Sequence, residues 1–377
     1  MLTTNSSLMD GINRHIMTVA PAVNRLQGYE VAVCSVFPRA ELAEALDREG
    51  VRTFSLYASS GHDLKIFYRF YKIMREYQPD IIHSHVMALY EKILLSALFR
   101  SKKYISTVHG IRDKVTKESV RMKVERWLNS IFPIHYAAYC YVSNGVRHYL
   151  CGDKEQKGRY TIYNPLHFEE KLIPKSFSLH KIIGVASETP IIGTCCRLAA
   201  VKNPPMFTRV MCGVLQQNVT AHAVVLGDGD EDIKKELLQI VLASHVSDRF
   251  HFLGYRQDAP DLVRDFNCFV MTSISEGMPT SMLEAMANKT PFAMMEGLGG
   301  LKDIAELNSA EGPIGIVVPK GDVDSLVSGI LTIIANPDYA KLLADTAFRT
   351  GQKLFDIVSV AKQLQHVYNI VMSKTNV

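Results

Sequence analysis

Phe269-Val-Met-Thr-Ser-Ile-Ser-Glu276-Gly277-Met278-Pro279-Thr280-Ser281-Met-Leu-Glu284-Ala-Met-Ala-Asn288 decides the fold of this chain. It reads as a buried strand, a polar turn with glycine and proline, and the first turns of a helix that carries a second carboxylate. In an open α/β sheet such a junction lines a crevice with backbone N–H groups at the helix N-terminus, where ligands bind. Ser281-Met-Leu-Glu284 fits a capping box, with Ser281 as N-cap and Glu284 returning to its N–H. Glu276, ahead of the helix, has no such structural role.

Outward from this junction, strands and helices alternate in both directions. The periodicity predicts helices over 39–49, 63–77 and 88–99 and strands at Glu30–Phe37, Val51–Leu56, Asp80–His85, Lys103–Gly110 and Tyr139–Ser143. After a boundary between Asn164 and Pro190, strands at Ile191–Cys196, Ala221–Leu226, 249–253 and 268–272 alternate with helices over 203–217, 231–243 and 258–265. Strands at Phe292–Met295 and Gly315–Val318 and two helices finish the chain. Repeated units of this length argue for parallel sheets covered by helices. The expected organisation is an α/β fold with an N-terminal domain over 1–175, a C-terminal domain over 176–355 and a helix over 356–377 returning to the first domain. The helix beginning at Gly11-Ile12 is preceded by few strand-forming residues. The first strand is therefore expected either to be very short or to lie just ahead of residue 1, and a missing strand would leave sheet hydrogen bonds exposed.

The chain has 377 residues, 47% hydrophobic and 21% charged, which describes an ordinary folded protein. Its seven irregularly spaced cysteines fit free thiols in a reducing compartment, and its apolar runs stop short of a membrane span. A cytoplasmic location is expected. Residues 1–180 carry 25 Lys or Arg against 17 Asp or Glu, net +8, while 181–377 carry 17 against 21, net −4. The surplus is densest from Lys102 to Arg126, just before Trp127 and Leu128. That segment fits peripheral contact with an anionic inner membrane and fits a solvated helix with one buried stripe equally well. Nothing accompanies it that would read nucleic acid.

Arg197 and Lys202 fall between a strand end and a helix, where a rigid guanidinium fork and a mobile ammonium could embrace a diphosphate. A carboxylate repels phosphate, so Glu276 and Glu284 suit the sugar hydroxyls on either side of it. His109 ends a strand in the first half and could donate a hydrogen bond to a sugar. His83 and His85 share one sheet face with no third ligand attached, so no metal site is expected. Gly227-Asp-Gly-Asp230 reads as a tight turn with Asp230 as a helix N-terminal acid rather than as a metal loop.

With these residues in hand, the sequence resembles the retaining, nucleotide-sugar-dependent glycosyltransferases of family four, which have the GT-B fold of two Rossmann-like domains facing across a cleft. The match runs through Ser275-Glu276-Gly277-Met-Pro279 and Glu284-Ala-Met-Ala287, Gly193 to Asn203, Leu226-Gly-Asp-Gly229, His251-Phe-Leu-Gly-Tyr255, Gly299-Gly300 and Val317 to Asp322. Thr107-Val-His109-Gly110, Tyr141-Val-Ser143 and Ile162-Tyr-Asn164-Pro165 extend it over the first half. The resemblance implies a nucleotide-diphosphate sugar donor such as a UDP-sugar and a glycan or lipid-linked acceptor. It implies synthesis of a cell-surface polysaccharide, with no added cofactor or metal. Arg197 and Lys202 would stabilise the diphosphate and Glu284 would hold ribose. Glu276, with the backbone of Gly277, Met278 and Pro279, would seat the transferred sugar. His109 would face that sugar, and Gly11 would stand in the first glycine loop. Two departures are visible: Asn288-Lys289-Thr290 where the family usually has a glycine, and Asp10-Gly11 where it usually has two. A lapsed enzyme acting as a sugar-nucleotide-binding scaffold, and an epimerase of the same fold, are the alternative expectations.

Overall fold

A computed structural model describes residues 1–3, 11–38, 41–59, 63–85, 98–99, 102–111, 136–152, 154, 156–169, 178–310 and 312–373. The helix expected over 88–99 falls almost wholly outside these residues, as do Asp10 and the basic segment from Arg112 to Arg126. The chain forms two compact units, Met1–Pro165 with Ile357–Val377, and Leu166–Asp356.

In the first unit β1 (Leu2–Thr3), β2 (Ala32–Ser35), β3 (Arg52–Ser55), β4 (Ile81–Ser84), β5 (Lys103–Val108), β6 (Ala138–Tyr141) and β7 (Arg159–Thr161) form one sheet in the order β3-β2-β1-β4-β5-β6-β7. Every pairing in it is parallel. Of the two alternatives for the first strand, the very short one holds. Two-residue β1 is central, with Leu2 opposite Cys34 on one side and Ser84 on the other. The amides of Cys34 and Val36 donate to Met1 and Thr3, and that of His85 donates to Leu2. A strand this short carries no readable periodicity, yet its ladder is filled on both sides. Thr3 Oγ1 then donates to buried Asn13 Oδ1 at 2.8 Å, tying β1 to α1 (Gly11–Asn24).

The other helices before the second unit are α2 (Glu41–Arg48), α3 (Lys65–Tyr77) and α4 (Asn144–Cys151). Ser143 caps α4 by accepting from the Val146 amide at 3.1 Å, satisfying one of the N–H groups a helix start leaves open.

The second unit holds α5 (Leu179–Ile183), β8 (Ile191–Cys195), α6 (Pro204–Gln217), β9 (His222–Leu226), α7 (Glu231–Ala243), β10 (Phe250–Phe252), α8 (Ala259–Leu262), β11 (Cys268–Met271), β12 (Ser275–Glu276) and α9 (Thr280–Ala287). It continues with β13 (Phe292–Met295), β14 (Leu298–Gly299), α10 (Gly300–Ala310), β15 (Ile316–Val318), α11 (Val323–Ala335) and α12 (Pro337–Phe355). Its main sheet runs β10-β9-β8-β11-β13-β15, and β12 pairs with β14 apart from it. All residues of β11 and β13 are buried, as parallel strands covered on both faces require. Helix α10 was not expected, because Gly299-Gly300 reads only as a turn. The chain ends in three helices rather than two, since Pro337 starts α12 at its first position and so separates it from α11.

The last helix, α13 (Ile357–Ser373), buries Ala361, Leu364, Val367, Tyr368 and Val371, the stripe that the 3.6-residue period predicts. It belongs to the first unit, where these residues share a core with Ile16, Val19 and Val23 of α1. Each such aliphatic side chain contributes roughly 1.5–3 kcal/mol on full burial.

Candidate active site

In both sheets the chain order reverses once, between β1 and β4 in the first and between β8 and β11 in the second. In doubly wound sheets the crevice beyond the strand ends at such a reversal is where ligands bind. The candidate residues fall at these two points.

In the second unit, β8 leads through Cys196 and Arg197 into a 3-10 turn, Ala200–Lys202, and then α6. Asn203, at φ 52°, turns the chain into the helix. This loop is fastened on both sides. The Leu198 amide donates to Asp228 O at 2.9 Å and the Asp230 amide donates to Leu198 O at 3.0 Å, while Ile274 donates to Val201 O at 2.8 Å. A β-carbon on Gly229 would meet Leu198 O at 2.3 Å, so the Gly-Asp-Gly turn exists to let two loops touch. Asp230 caps α7 through the amides of Asp232 and Ile233, as its position predicts, and Asp228 pairs with Lys234.

Lys202 Nζ donates to both carboxylate oxygens of Glu276, at 2.7 and 2.6 Å. Their side chains are 24% and 9% exposed, so the pair is screened less than a surface ion pair. Burial pushes the neighbouring Cys196 thiol up to about 11, with the Lys202 charge opposing the shift. Arg197 is exposed on the same loop and takes no part in the pair. Glu276 is held by the β12–β14 pairing, opposite Gly299. Beyond it the Gly300 amide donates to Gly277 O at 3.1 Å. A β-carbon on Gly300 would lie 2.7 Å from that oxygen and 2.8 Å from Met278 Cα. The second glycine of the Gly299-Gly300 pair is therefore what permits the approach. Met278 and Pro279 are buried.

The capping box is corrected. Helix α9 starts at Thr280 with Pro279 as N-cap and no side-chain cap, and the amides of Met282 and Leu283 bond to Pro279 O. Ser281 therefore already lies inside the helix, and Glu284 sits beyond the first turn, 4% exposed. At the other end of α9, Lys289 has φ 54°, the left-handed backbone for which a glycine was expected there. Thr290 N donates to Ala285 O, as in a Schellman ending. Lys289 Nζ lies 3.1 Å from Asp345 and 4.9 Å from the centre of the Phe348 ring, contacts that offset the steric cost.

In the first unit His85 follows β4, His109 follows β5 and His15 lies on α1. Gly11, the first residue of α1, is exposed. Two further imidazoles stand beside His85, for one ring nitrogen each of His15, His85 and His109 lies within 4.8 Å of the other two. His83 and His85 stack at 4.5 Å. His85 Nδ1 is 2.9 Å from His109 Nε2, and His15 Nδ1 is 3.0 Å from Asn164 Oδ1. His83 bonds at 2.7 Å to the Tyr368 hydroxyl and at 2.7 Å to Thr107 Oγ1. Burial, first of all, drives His15 down to about 4 and holds His83, His85 and His109 well below the ordinary imidazole value. All four are neutral at pH 7. His15, Asn164 and Tyr368 come from distant parts of the chain, and only the His83-x-His85 alternation hinted at the group.

Two family models match, Glycosyltransferase Family 4 over residues 9–168 and Glycosyl transferases group 1 over 189–336. The UDP-Gal:alpha-D-GlcNAc-diphosphoundecaprenol alpha-1,3-galactosyltransferase of Escherichia coli is 24% identical over 72% of this chain and 70% of its own length. The lipopolysaccharide core mannosyltransferase LpcC of Rhizobium leguminosarum is 28% identical over 48% of this chain and 51% of its own. Among solved structures, Anabaena HepE in complex with UDP and glucose is similar in fold, with a TM-score of 0.78 at 18% identity over 98% of both chains.

Proposed function

We propose that this chain, which belongs to the family-four glycosyltransferases of GT-B fold, moves a sugar from a nucleotide-diphosphate donor to a glycan or lipid-linked acceptor with retention of anomeric configuration. The observation that carries this reading is the Lys202–Glu276 pair at the β8–β11 reversal. A cation suited to a diphosphate is held against a carboxylate suited to sugar hydroxyls, the two functions a sugar nucleotide needs side by side. On donor binding Lys202 would exchange one of its partners for a diphosphate oxygen, with Arg197 joining from the same loop. Glu276 would accept from the sugar's hydroxyls, the backbone of Gly277 to Pro279 would seat the ring, and Glu284 would hold ribose. Gly11 would stand beside a ligand at the first unit's reversal, where a β-carbon would meet nothing within 4 Å among the described residues.

Retention needs no enzyme nucleophile in this reading. The acceptor attacks on the face the diphosphate leaves, and a departing oxygen takes the acceptor's proton while Arg197 and Lys202 neutralise the charge that develops. His109 would donate a hydrogen bond to the sugar. Names among the relatives favour a UDP-sugar and an acceptor in cell-surface polysaccharide synthesis; in this proposal the work is done in the cytoplasm at the inner membrane. Among the described residues no helix is long and apolar enough to cross a membrane.

A screen of UDP-, GDP- and ADP-sugars with lipid-linked and glycan acceptors tests the reading. Transfer with retained configuration is expected, and Glu276→Ala should lower kcat/KM about 100-fold or more. Wild-type turnover in that variant would remove Glu276 from the mechanism. Saturable donor binding without transfer to any acceptor would favour a binding protein instead.

A further inference from the structure

The histidines at the first unit's reversal carry information about where protons sit. His85 Nδ1 and His109 Nε2 are 2.9 Å apart, so one donates and the other accepts. A tetrahedral zinc with bonds of about 2.0–2.1 Å would set two ligand nitrogens about 3.3 Å apart, so this spacing is that of a hydrogen bond. The direction follows from the other nitrogen of His85, which is buried with no hydrogen-bond partner among the described residues. Were His109 the donor, neutral His85 would carry its proton on that orphaned Nε2, and a buried N–H without an acceptor is a rare and costly defect. With His85 as donor, the orphan is only a lone pair. His83 does not compete, because both its nitrogens are taken by the hydroxyls of Tyr368 and Thr107 while its ring stacks on His85 and fixes its plane.

We propose that His85 is a positioning residue whose Nδ1–H donates to His109 Nε2 and thereby holds His109 as the Nδ1–H tautomer. His109, partly exposed beyond the end of β5, then offers an N–H outward and no lone pair. For the transferase reading, on which this consequence rests, His109 is a hydrogen-bond donor to an oxygen of the bound sugar or acceptor and cannot serve as the base that takes the acceptor's proton.

The test is nitrogen NMR of the full chain labelled at the histidine rings. The wild type should show His109 protonated at Nδ1 and bare at Nε2. His85→Leu should remove the hydrogen bond that His109 Nε2 accepts and move its nitrogen shift toward that of an unbonded lone pair, whereas His85→Asn, whose amide nitrogen replaces Nδ1, should keep the wild-type shift. In the transfer assay His85→Leu should lower kcat/KM roughly tenfold, the value of one hydrogen bond, and His85→Asn should restore most of it. A protonated Nε2 on wild-type His109, or an unchanged Nε2 shift in His85→Leu, overturns the proposal. So does stoichiometric zinc binding that shifts all three ring pairs, which would make the group a metal site. If His85→Leu fails to fold, the wild-type and His85→Asn spectra still decide. A donor screen without transfer would end the transferase reading and leave the tautomer result standing.

Discussion

Where the second sheet reverses, between β8 and β11, an ammonium is bonded to a carboxylate; where the first reverses, between β1 and β4, four imidazoles are kept uncharged by burial. Both sheets follow the same order, with the first strand of the unit at the reversal. Topology therefore supplies the crevice, and the loop residues alone choose its chemistry. The second unit holds full charges that a charged ligand must rearrange. The first holds neutral donors and acceptors, whose use depends on proton placement instead of charge.

The difference should be largest in acid. A buried histidine with a depressed folded pKa contributes stability that is complete above its unfolded value near 6.5. That stability is lost as pH falls from there toward the folded value, because the unfolded chain binds the proton first. His15 spans the window from 6.5 down to about 4. Each of the four that stays neutral should cost roughly 1.5 kcal/mol of unfolding free energy between pH 6.5 and 5. Hydrogen exchange at the two pH values should show the loss in residues of the first unit. His222 and His251 are also lowered but are only partly buried, so the second unit should respond less. Equal loosening of both units would break the contrast.

A smaller effect is expected from the charged pair. Glu276→Gln or Lys202→Met leaves one partly buried charge without its partner and should lower stability by about 1–2 kcal/mol in urea unfolding. The double variant should recover much of that loss. Additive losses would mean that the two side chains are not energetically coupled.

The smallest effect separates the charge pair proposed to bind the donor from a structural one in the same unit. Lys289→Gly relieves a left-handed backbone but gives up Asp345 and Phe348, so its stability should change by less than about 0.5 kcal/mol. Lys289→Ala loses the contacts and keeps the strain, and should cost about 1 kcal/mol by thermal melting.

The parts of the molecule that sequence made legible are those governed by local period. The apolar run of β11, the stripe of α13 and the Asp230 cap all depend on neighbours a few residues away. Ser281-Met-Leu-Glu284 misled because Pro279 takes the N-cap position and leaves Ser281 inside the helix. Helix α10 was hidden by glycines that serve a close approach to Gly277. Of the site, Lys202 and Glu276 were each recognised, yet their bond was not, since it joins residues 74 apart. The histidine group drew on α1, β4, β5 and α13, and no window of sequence contains it.

Helix α13 gives the chain a direction during synthesis. The second unit is a continuous stretch, whereas the core of the first is completed only by residues that follow Asp356. On a ribosome, the face of α1 that meets α13, in the core of Ile16, Val19 and Val23, must wait without that cover through the whole translation of the second unit. The first unit to be made is thus the last to be finished, and a nascent chain stalled before Leu364 would present that face to chaperones.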